Sequence, residues 1–475
     1  MLYPSLEEVK VKSREYKLIP VFFEMMSDTQ TPIHIYNALS EDEENSFIFE
    51  SVNNSEQWGR YSFIGAKPRK EIKNATQDEI QKILDEHKSP VYHNRPHLTG
   101  GLIGYFSYDS SRIAEKKLQK SYEINKITDD IGMPDIHLFL YDEIVAFDHL
   151  GNKAIIIINI YADSDIDKAY RDAESKARII ANKINRYIPS TRVNQPFREM
   201  SFSSNFSQEV FEENILKAKE YIYAGDIFQI VISQRFECDN PPPSFDVYRM
   251  LRMTNPSPYL YYFKTPNYHI AGASPEMLIN VTGNTVKNRP IAGTIGRGLT
   301  EKEDIRLETE LRGDPKECAE HNMLVDLGRN DVGKVCEFGT VEVTDYMKTE
   351  KYSKVMHLVS DVQGKLRPDK TPLDALMAVL PAGTLTGAPK IRAMEIIDEF
   401  ENEKRGLYAG TVGYLGFDGN IDTCIAIRTV LFANNKAYIQ AGAGIVADSV
   451  PEKEYRETQG KAAAMINAVK SAQTL

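Results

Sequence analysis

Hydrophobic positions along this chain follow two periods, and the switches between them mark out its elements. In the first third, apolar residues fall in short runs bounded by Asn, Ser and Gly. Residues 32–36, 46–50, 60–64, 101–108 and 136–147 read as strands on that basis. Residues 153–161 pair with the last of these across the turn His149-Leu150-Gly151-Asn152. Strand, turn and strand without an intervening helix predict antiparallel sheet. Helical periodicity marks residues 76–86, where Thr76 and Glu79 have capping-box spacing, and residues 166–184.

Residues 186–206 carry Pro, Ser, Asn and charge with little periodicity, which predicts a linker between an amino-terminal region, 1–185, and a second region, 207–470. The second region opens on a helix over 207–223, with Val210, Ile215, Ala218 and Ile222 on its apolar side. Its clearest later unit is a meander over 407–417, 421–433 and 436–446, turning at Asp418-Gly419 and Asn434-Asn435. The fold class expected is α+β, with mostly antiparallel sheets.

Composition narrows the function classes. The chain has 475 residues, 42% hydrophobic and 26% charged, as in ordinary globular enzymes. A net charge of −11 argues against nucleic acid as a partner. No apolar run approaches the length that spans a bilayer, and residues 1–12 lack the apolar core of a signal peptide, so a cytoplasmic protein with no membrane partner is expected. The four cysteines are scattered without a CxxC pair, which indicates neither a zinc site nor a disulfide framework.

The densest polar stretch is 314–331. Asp314 as N-cap and Pro315 after it start a helix on which Ala319, Met323 and Leu327 form a stripe with Glu320 at its edge. Glu320 there is either paired with Arg329 or a lysine, or binds a cation. Ser449-Val450-Pro451-Glu452 has the form of a capping box opening a helix to about residue 469, on which Glu457 and Lys461 are four apart. The pair is either a surface salt bridge, or Glu457 and Glu320 hold one hard cation between them. Mg²⁺ suits two glutamates without His or Cys, because it keeps waters and takes substrate oxygens.

Residues 441–447, Ala-Gly-Ala-Gly-Ile-Val-Ala, fit a dinucleotide fingerprint in letters only, since no helix follows directly and the preceding strands form a meander. They are either a glycine-softened strand or a place where a ligand meets backbone N–H groups. Strand alternation puts Cys424, Ala426, Arg428 and Val430 on one face, where Arg428 answers a buried acid or clamps a carboxylate. Residues 383–390 lead into a helix over 391–401 without the ending of a phosphate loop. His357 is a lone histidine in an apolar run.

Taken in order, these segments resemble the chorismate-utilising family of anthranilate, aminodeoxychorismate, isochorismate and salicylate synthases. The wording is carried by Gly225-Asp226-Ile227-Phe228-Gln229, Ala273-Ser274-Pro275-Glu276, Pro290-Ile291-Ala292-Gly293-Thr294, the Glu320-His321 helix, residues 326–331 and residues 440–446. The resemblance implies an intertwined sandwich of large antiparallel sheets around one cleft. It places the Mg²⁺ ligands on Glu320 and Glu457, and chorismate contacts on Thr294, Tyr408, Arg428, Gly442, Ala443, Gly444 and Lys461. Glu276 looks like the acid that protonates the leaving hydroxyl, with Thr384 beside it, and His357 like the group supporting proton removal from C2.

Two positions choose within the family. Isochorismate and salicylate synthases resemble one another in carrying Lys where Gln229 stands, and aminodeoxychorismate synthases carry Lys in place of Ala292. Their absence implies free ammonia as nucleophile, anthranilate and pyruvate as products, and ammonia from a separate glutamine amidotransferase subunit. Aminodeoxychorismate or aminodeoxyisochorismate formation is the alternative. The first region resembles the family more loosely. Glu50 and Ser51, with Pro256, Pro258, Tyr259 and Leu260, look like a feedback pocket for L-tryptophan.

Overall fold

Strands that are apolar at every position need cover on both faces. The run Ile155-Ile156-Ile157-Ile158 makes that demand, and its alternate side chains go to different cores. Ile155 and Ile157 pack between two sheets with Phe47, Phe139 and Tyr141, whereas Ile156 and Ile158 pack outward against Ala173, Ala177 and Ile184 of the Ile166–Arg186 helix. Repeated along the chain, this gives helices, sheet, sheet, helices in successive layers. The computed structural model describes residues 2–51, 59–113, 115–163, 165–189, 198–352 and 355–475. Among these the strands form one 13-stranded and one 10-stranded sheet, paired antiparallel throughout. The expected α+β class is therefore what the chain adopts.

Both sheets draw strands from both halves of the chain. Ser46–Glu50 pairs with Tyr259–Lys264 in the larger sheet, and Gly101–Phe106 pairs with Thr411–Gly416 in the smaller. The two regions interlock instead of lying side by side. Part of the expected 186–206 linker, 190–197, falls outside the described residues.

Three apolar runs cross from one sheet to the other. The expected 136–147 strand divides at Asp142 into Ile136–Tyr141 of the smaller sheet and Glu143–Asp148 of the larger. The expected 421–433 strand divides into Ile421–Ile425 and Thr429–Ala433 in the same way. Tyr268–Ser274 and Met277–Thr282 are separated by Pro275-Glu276, and each pairs with one half of the 421–433 run. Two adjacent strands thus change sheets together. The alternation expected for Cys424, Ala426, Arg428 and Val430 is broken there. Arg428 takes a left-handed backbone with φ 52°, and Cys424 and Val430 enter different cores.

Other expectations shift for local reasons. Residues 32–36 lie in a helix, Pro32–Ser40, because Thr31 accepts from His34 N as N-cap and Pro32 fits the first turn. The helix over 76–86 has the capping box its spacing implies, and Asp314 caps Pro315–Gly333. That helix buries His321, Leu324, Val325, Gly328 and Val332, so the inward stripe is rotated from Ala319, Met323 and Leu327. Pro451–Ser471 starts at Val450 without a side-chain cap, since Ser449 Oγ accepts from Val446 N instead. No described helix is long and apolar enough to cross a membrane.

One buried ion pair ties the strand Gln229–Asp239 to the loop beside the crossing. Arg405 donates to Glu401, to Leu385 O at 2.7 Å and to Val231 O at 2.7 Å. Glu401 also accepts from Ser233 N at 2.8 Å and its hydroxyl at 2.9 Å. Arg405→Met leaves a buried carboxylate without its partner, and a loss of about 3–5 kcal/mol is expected. Denaturant unfolding checks this, with Glu401→Gln/Arg405→Met expected to regain part of the loss.

Candidate active site

Where the two strands change sheets, the sandwich opens into a cavity of about 640 Å³. Pro275-Glu276 and Ile427-Arg428, the residues between the strand halves, stand on its wall. The Ile291–Gly296 strand adds Ala292 and Thr294, which both reach the cavity because Gly293, at φ 62°, makes a bulge against Val355–Lys365. Pro315–Gly333 contributes Glu317 and Glu320, and Pro451–Ser471 contributes Glu454, Glu457 and Lys461.

The Lys436–Ile445 strand closes another side with Gly442 and Gly444. A methyl on Gly442 would lie 2.8 Å from Tyr408 Oη and 2.9 Å from Ile232 O, and one on Gly444 would lie 2.7 Å from Gln229 Nε2. The backbone oxygen of Ile232 requires glycine at 442, whereas at 444 the neighbour is the end of the Gln229 side chain, which a methyl would displace. Ala443, expected among the substrate contacts, does not line the cavity. Strand alternation turns its side chain into an apolar cluster with Phe211, Ile230 and Ile445.

The acid and base candidates have environments that fit those roles. Burial pushes the Glu276 carboxyl up to about 7, against the opposing effect of a hydrogen bond from Thr384 Oγ1 to Oε1 at 2.9 Å. A carboxyl in that range is part protonated near neutral pH and can both give up and regain a proton. His357 Nδ1 lies 2.9 Å from Thr294 Oγ1 and 3.2 Å from Gly293 O. A carbonyl oxygen can only accept, so Nδ1 carries the proton and Nε2 keeps a lone pair. Burial lowers the pKa of this half-buried ring, which favours the neutral form a base requires.

Charge on the remaining walls is divided. Burial raises the Glu320 carboxyl, and the charges of Glu317 and Glu457 raise it further. Glu317 and Glu454 are raised by burial as well. Arg329, one expected partner of Glu320, pairs with Asp326 at 2.9 Å instead. Glu457 does form the helical pair with Lys461, at 2.7 Å, while Lys461 Nζ also donates to Gly442 O at 3.0 Å. Arg428 Nη1 donates to Lys461 O at 3.0 Å, which leaves the rest of its guanidinium beside Tyr408 and the cavity. One side can thus receive an anionic group, while the other crowds carboxylates whose repulsion a bound cation would relieve.

Among the described residues, no group of three or more His, Cys, Asp or Glu is arranged to hold a metal alone. Mg²⁺ makes no such demand, because one or two carboxylates, waters and substrate oxygens suffice. The donor set around Glu320 and Glu457 therefore fits that ion. Glu317 and Glu454 were not anticipated from the sequence. Their signal was helical spacing, since each lies one turn before an expected ligand and shares its face.

A second, smaller cavity is lined by Glu50, Ser51, Pro258, Tyr259 and Leu260, with Tyr61, Tyr414 and Asp422. Pro256, grouped with them from the sequence, is not on its wall. The Glu50 carboxylate is occupied by Tyr248 Oη at 2.6 Å and by Arg252 at 2.7 and 3.1 Å. It therefore anchors the Ser244–Thr254 helix to the sheet.

The chorismate binding enzyme family matches residues 44–467. Anthranilate synthase component 1 of Acetivibrio thermocellus is 46% identical over 99% of both chains, and that of Aquifex aeolicus is 44% identical over 99% of this chain and 98% of its own. The crystal structure of anthranilate synthase component I from Streptococcus pneumoniae superposes with a TM-score of 0.75 at 39% identity, covering 87% of this chain and 94% of the other. The menaquinone-specific isochorismate synthase of Escherichia coli shares the fold, with a TM-score of 0.73 at 18% identity over 98% of each chain.

The buried acid predicts a pH-dependent stability. Glu276 titrates near 7 when folded and near its ordinary 4.5 when unfolded. The stability compatible with its burial is complete below 4.5 and is lost as pH rises through about 7. The loss amounts to ~3 kcal/mol. Glu276→Gln, neutral at every pH, is expected to unfold later than the parent at pH 8.5 and level with it near pH 4.5, as read by thermal unfolding.

Proposed function

The chain belongs to the family of chorismate-binding enzymes, and on that premise we propose that it converts chorismate and ammonia to anthranilate and pyruvate. The observation that carries this reading is the buried Glu276, bonded to Thr384 and pushed up to about 7, across one cavity from the glutamates of two helices. Hydroxide is a poor leaving group unless it is protonated as it departs, and a carboxyl of that pKa suits the task.

Arg428 and Lys461 supply fixed positive charge for a substrate carboxylate, and Tyr408 and the Gly442–Gly444 backbone shape the wall beside them. Glu276 gives its proton to the departing C4 hydroxyl as ammonia adds at C2. His357, through Nε2, then takes the C2 proton as pyruvate leaves and the ring becomes aromatic. Glu320 and Glu457 would hold Mg²⁺, which when bound supplies charge stabilisation at the ring carboxylate. Positions 229 and 292 both face the cavity and carry an amide and a methyl. Neither offers an amine to the ring or a base to activate water, which supports ammonia as the nucleophile.

Several finer points belong to the same proposal. Relatives named component 1 support a partner subunit, and a separate glutamine amidotransferase is the source of ammonia that this reading requires. The first step of tryptophan synthesis is then the role of the pair. L-tryptophan is the proposed inhibitor, bound in the aromatic cavity beside Ser51, Tyr259 and Leu260. That cavity shares the Ile421–Ile425 strand with the approach to Arg428, through Asp422 and Cys424.

The test supplies chorismate, ammonium and Mg²⁺, and follows pyruvate together with anthranilate fluorescence, with and without L-tryptophan. Equal yields of the two products are expected, falling when L-tryptophan is added. A non-aromatic amine accumulating without pyruvate would point to the aminodeoxyisochorismate alternative and reject this reading. Glu276→Gln is expected to lower turnover by roughly 10²–10⁴. For the metal, calorimetric titration with Mg²⁺ checks the ligands directly: Glu320→Gln and Glu457→Gln should each weaken binding, and parent-like isotherms from both would place the ion elsewhere.

A further inference from the structure

Behind Glu276, on the side away from the large cavity, lies a second and much smaller one. Its volume available to water centres is about 30 Å³, and one water needs roughly 10–15 Å³. Glu276 and Thr384 stand on the walls of both cavities, so the acid has a face on each. The rest of the small cavity's wall is mostly apolar, with Leu278, Leu324, Leu327 and Val379 on it, and Asn288 and Asp331 are its other polar side chains. Asn288 Nδ2 donates to Leu278 O at 2.7 Å, and Gly328 leaves its Oδ1 room where a methyl would come within 2.6 Å.

Asp331 and Lys390 come from two conspicuous sequence segments that the reaction itself does not use. They meet here. Lys390 Nζ bonds Asp331 Oδ2 at 2.8 Å, and Lys334 Nζ bonds Oδ1 at 2.8 Å. Lys390 is buried, whereas the Lys334 side chain is 48% exposed. Asp331 therefore reaches from the part-exposed Lys334 to the wall of the small cavity, on which Thr384 also stands.

The chemistry gives such a path a purpose. When the C4–O bond breaks, hydroxide leaves as water with the proton of Glu276, which remains as a carboxylate. The compensating proton is released by the new ammonium group at C2, at a different ring position and inside the large cavity. Glu276 must recover a proton before the next turnover, and a route from its other side allows this before product has left.

We propose that the small cavity is the proton inlet of Glu276. Water in it passes a proton to Thr384 Oγ1 as the hydroxyl hands its own to Glu276 Oε1, and solvent at Lys334 and Asp331 restores the water. This rests on Glu276 being the acid of the proposed reaction. Asn288 acts as a positioning residue, holding water without touching substrate.

The test separates the first turnover from later ones. Asn288→Leu replaces the polar wall with hydrocarbon, and Val379→Leu narrows the same cavity from the opposite element. With enzyme in excess at pH 6, below the Glu276 pKa of about 7, the acid starts mostly protonated and both should match the parent in single-turnover rate. With chorismate and ammonium in excess, turnover should fall on the order of ten-fold, with KM for chorismate falling in step and kcat/KM unchanged, as slowing a step after the chemistry requires. Asn288→Ser, which puts a hydroxyl in place of the amide and adds room, should stay near the parent. The proposal is overturned if the filled variants keep parent turnover, or if their single-turnover and steady-state rates fall together. Should one variant fail to fold, the other decides. Parent-like turnover by Glu276→Gln would instead reject the acid assignment on which the inlet depends.

Discussion

The structure depends on two neighbouring strands changing sheets at the same level. Tyr268–Ser274 and Thr429–Ala433 pair in the larger sheet, and their continuations pair in the smaller. A strand cannot keep its ladder while it turns from one sheet to the other, so a few residues between the halves lose regular pairing. Those residues are Pro275-Glu276 and Ala426-Ile427-Arg428. The fold thereby sets an acid and a guanidinium in one opening, supported on four strands whose other side chains are locked in the cores.

That opening is maintained against the interests of stability. Glu276 is buried with one hydroxyl as partner, Glu320 is raised by burial and by neighbouring carboxylates, and Arg428 holds a left-handed backbone. Each feature costs free energy in the empty cavity. Elsewhere, buried charge is fully engaged: Arg405 with Glu401, and Arg112 with Asp398 at 2.6 Å. The contrast distinguishes groups that hold the fold from groups kept ready for a ligand. Glu50 has features of both, since Tyr248 and Arg252 bond it while it stands on the wall of a cavity.

Much of this was legible in the sequence, for identifiable reasons. Caps and turns are local, so Thr76, Asp314 and the Asn434-Asn435 turn could be placed without tertiary information. The acids and glycines of the site could be named from their wording, and the structure sets Glu276, Thr384, Glu320, Glu457, Gly442 and Gly444 around one cavity. What could not be read was any property set by a partner remote in sequence. An apolar run looks the same whether it stays in one sheet or crosses between two, so the breaks at Asp142 and Ala426-Ile427-Arg428 were hidden. Residues 32–36 carry strand-like letters, and the Thr31-Pro32 start that makes them helical was the available signal. Ala443 was placed with its glycine neighbours by wording, but period-two alternation turns its methyl to the other face.

The same crossing joins the two cavities. Asp422 and Cys424 line the aromatic cavity, and the strand that carries them ends at Ile425, three residues before Arg428. Across the pair, Tyr259 donates to Asp422 at 3.0 Å, while the strand after it returns through Ser274 to Glu276. A ligand that shifts Tyr259 or Asp422 therefore acts on both strands just before they cross, where regular pairing is weakest. Packed sheet cores deform little, so such a displacement is relieved at the irregular residues between the strand halves. These are the residues that carry the acid and the guanidinium. Communication between the sites then requires no moving domain, only a change in how two strands pass from one sheet to the other.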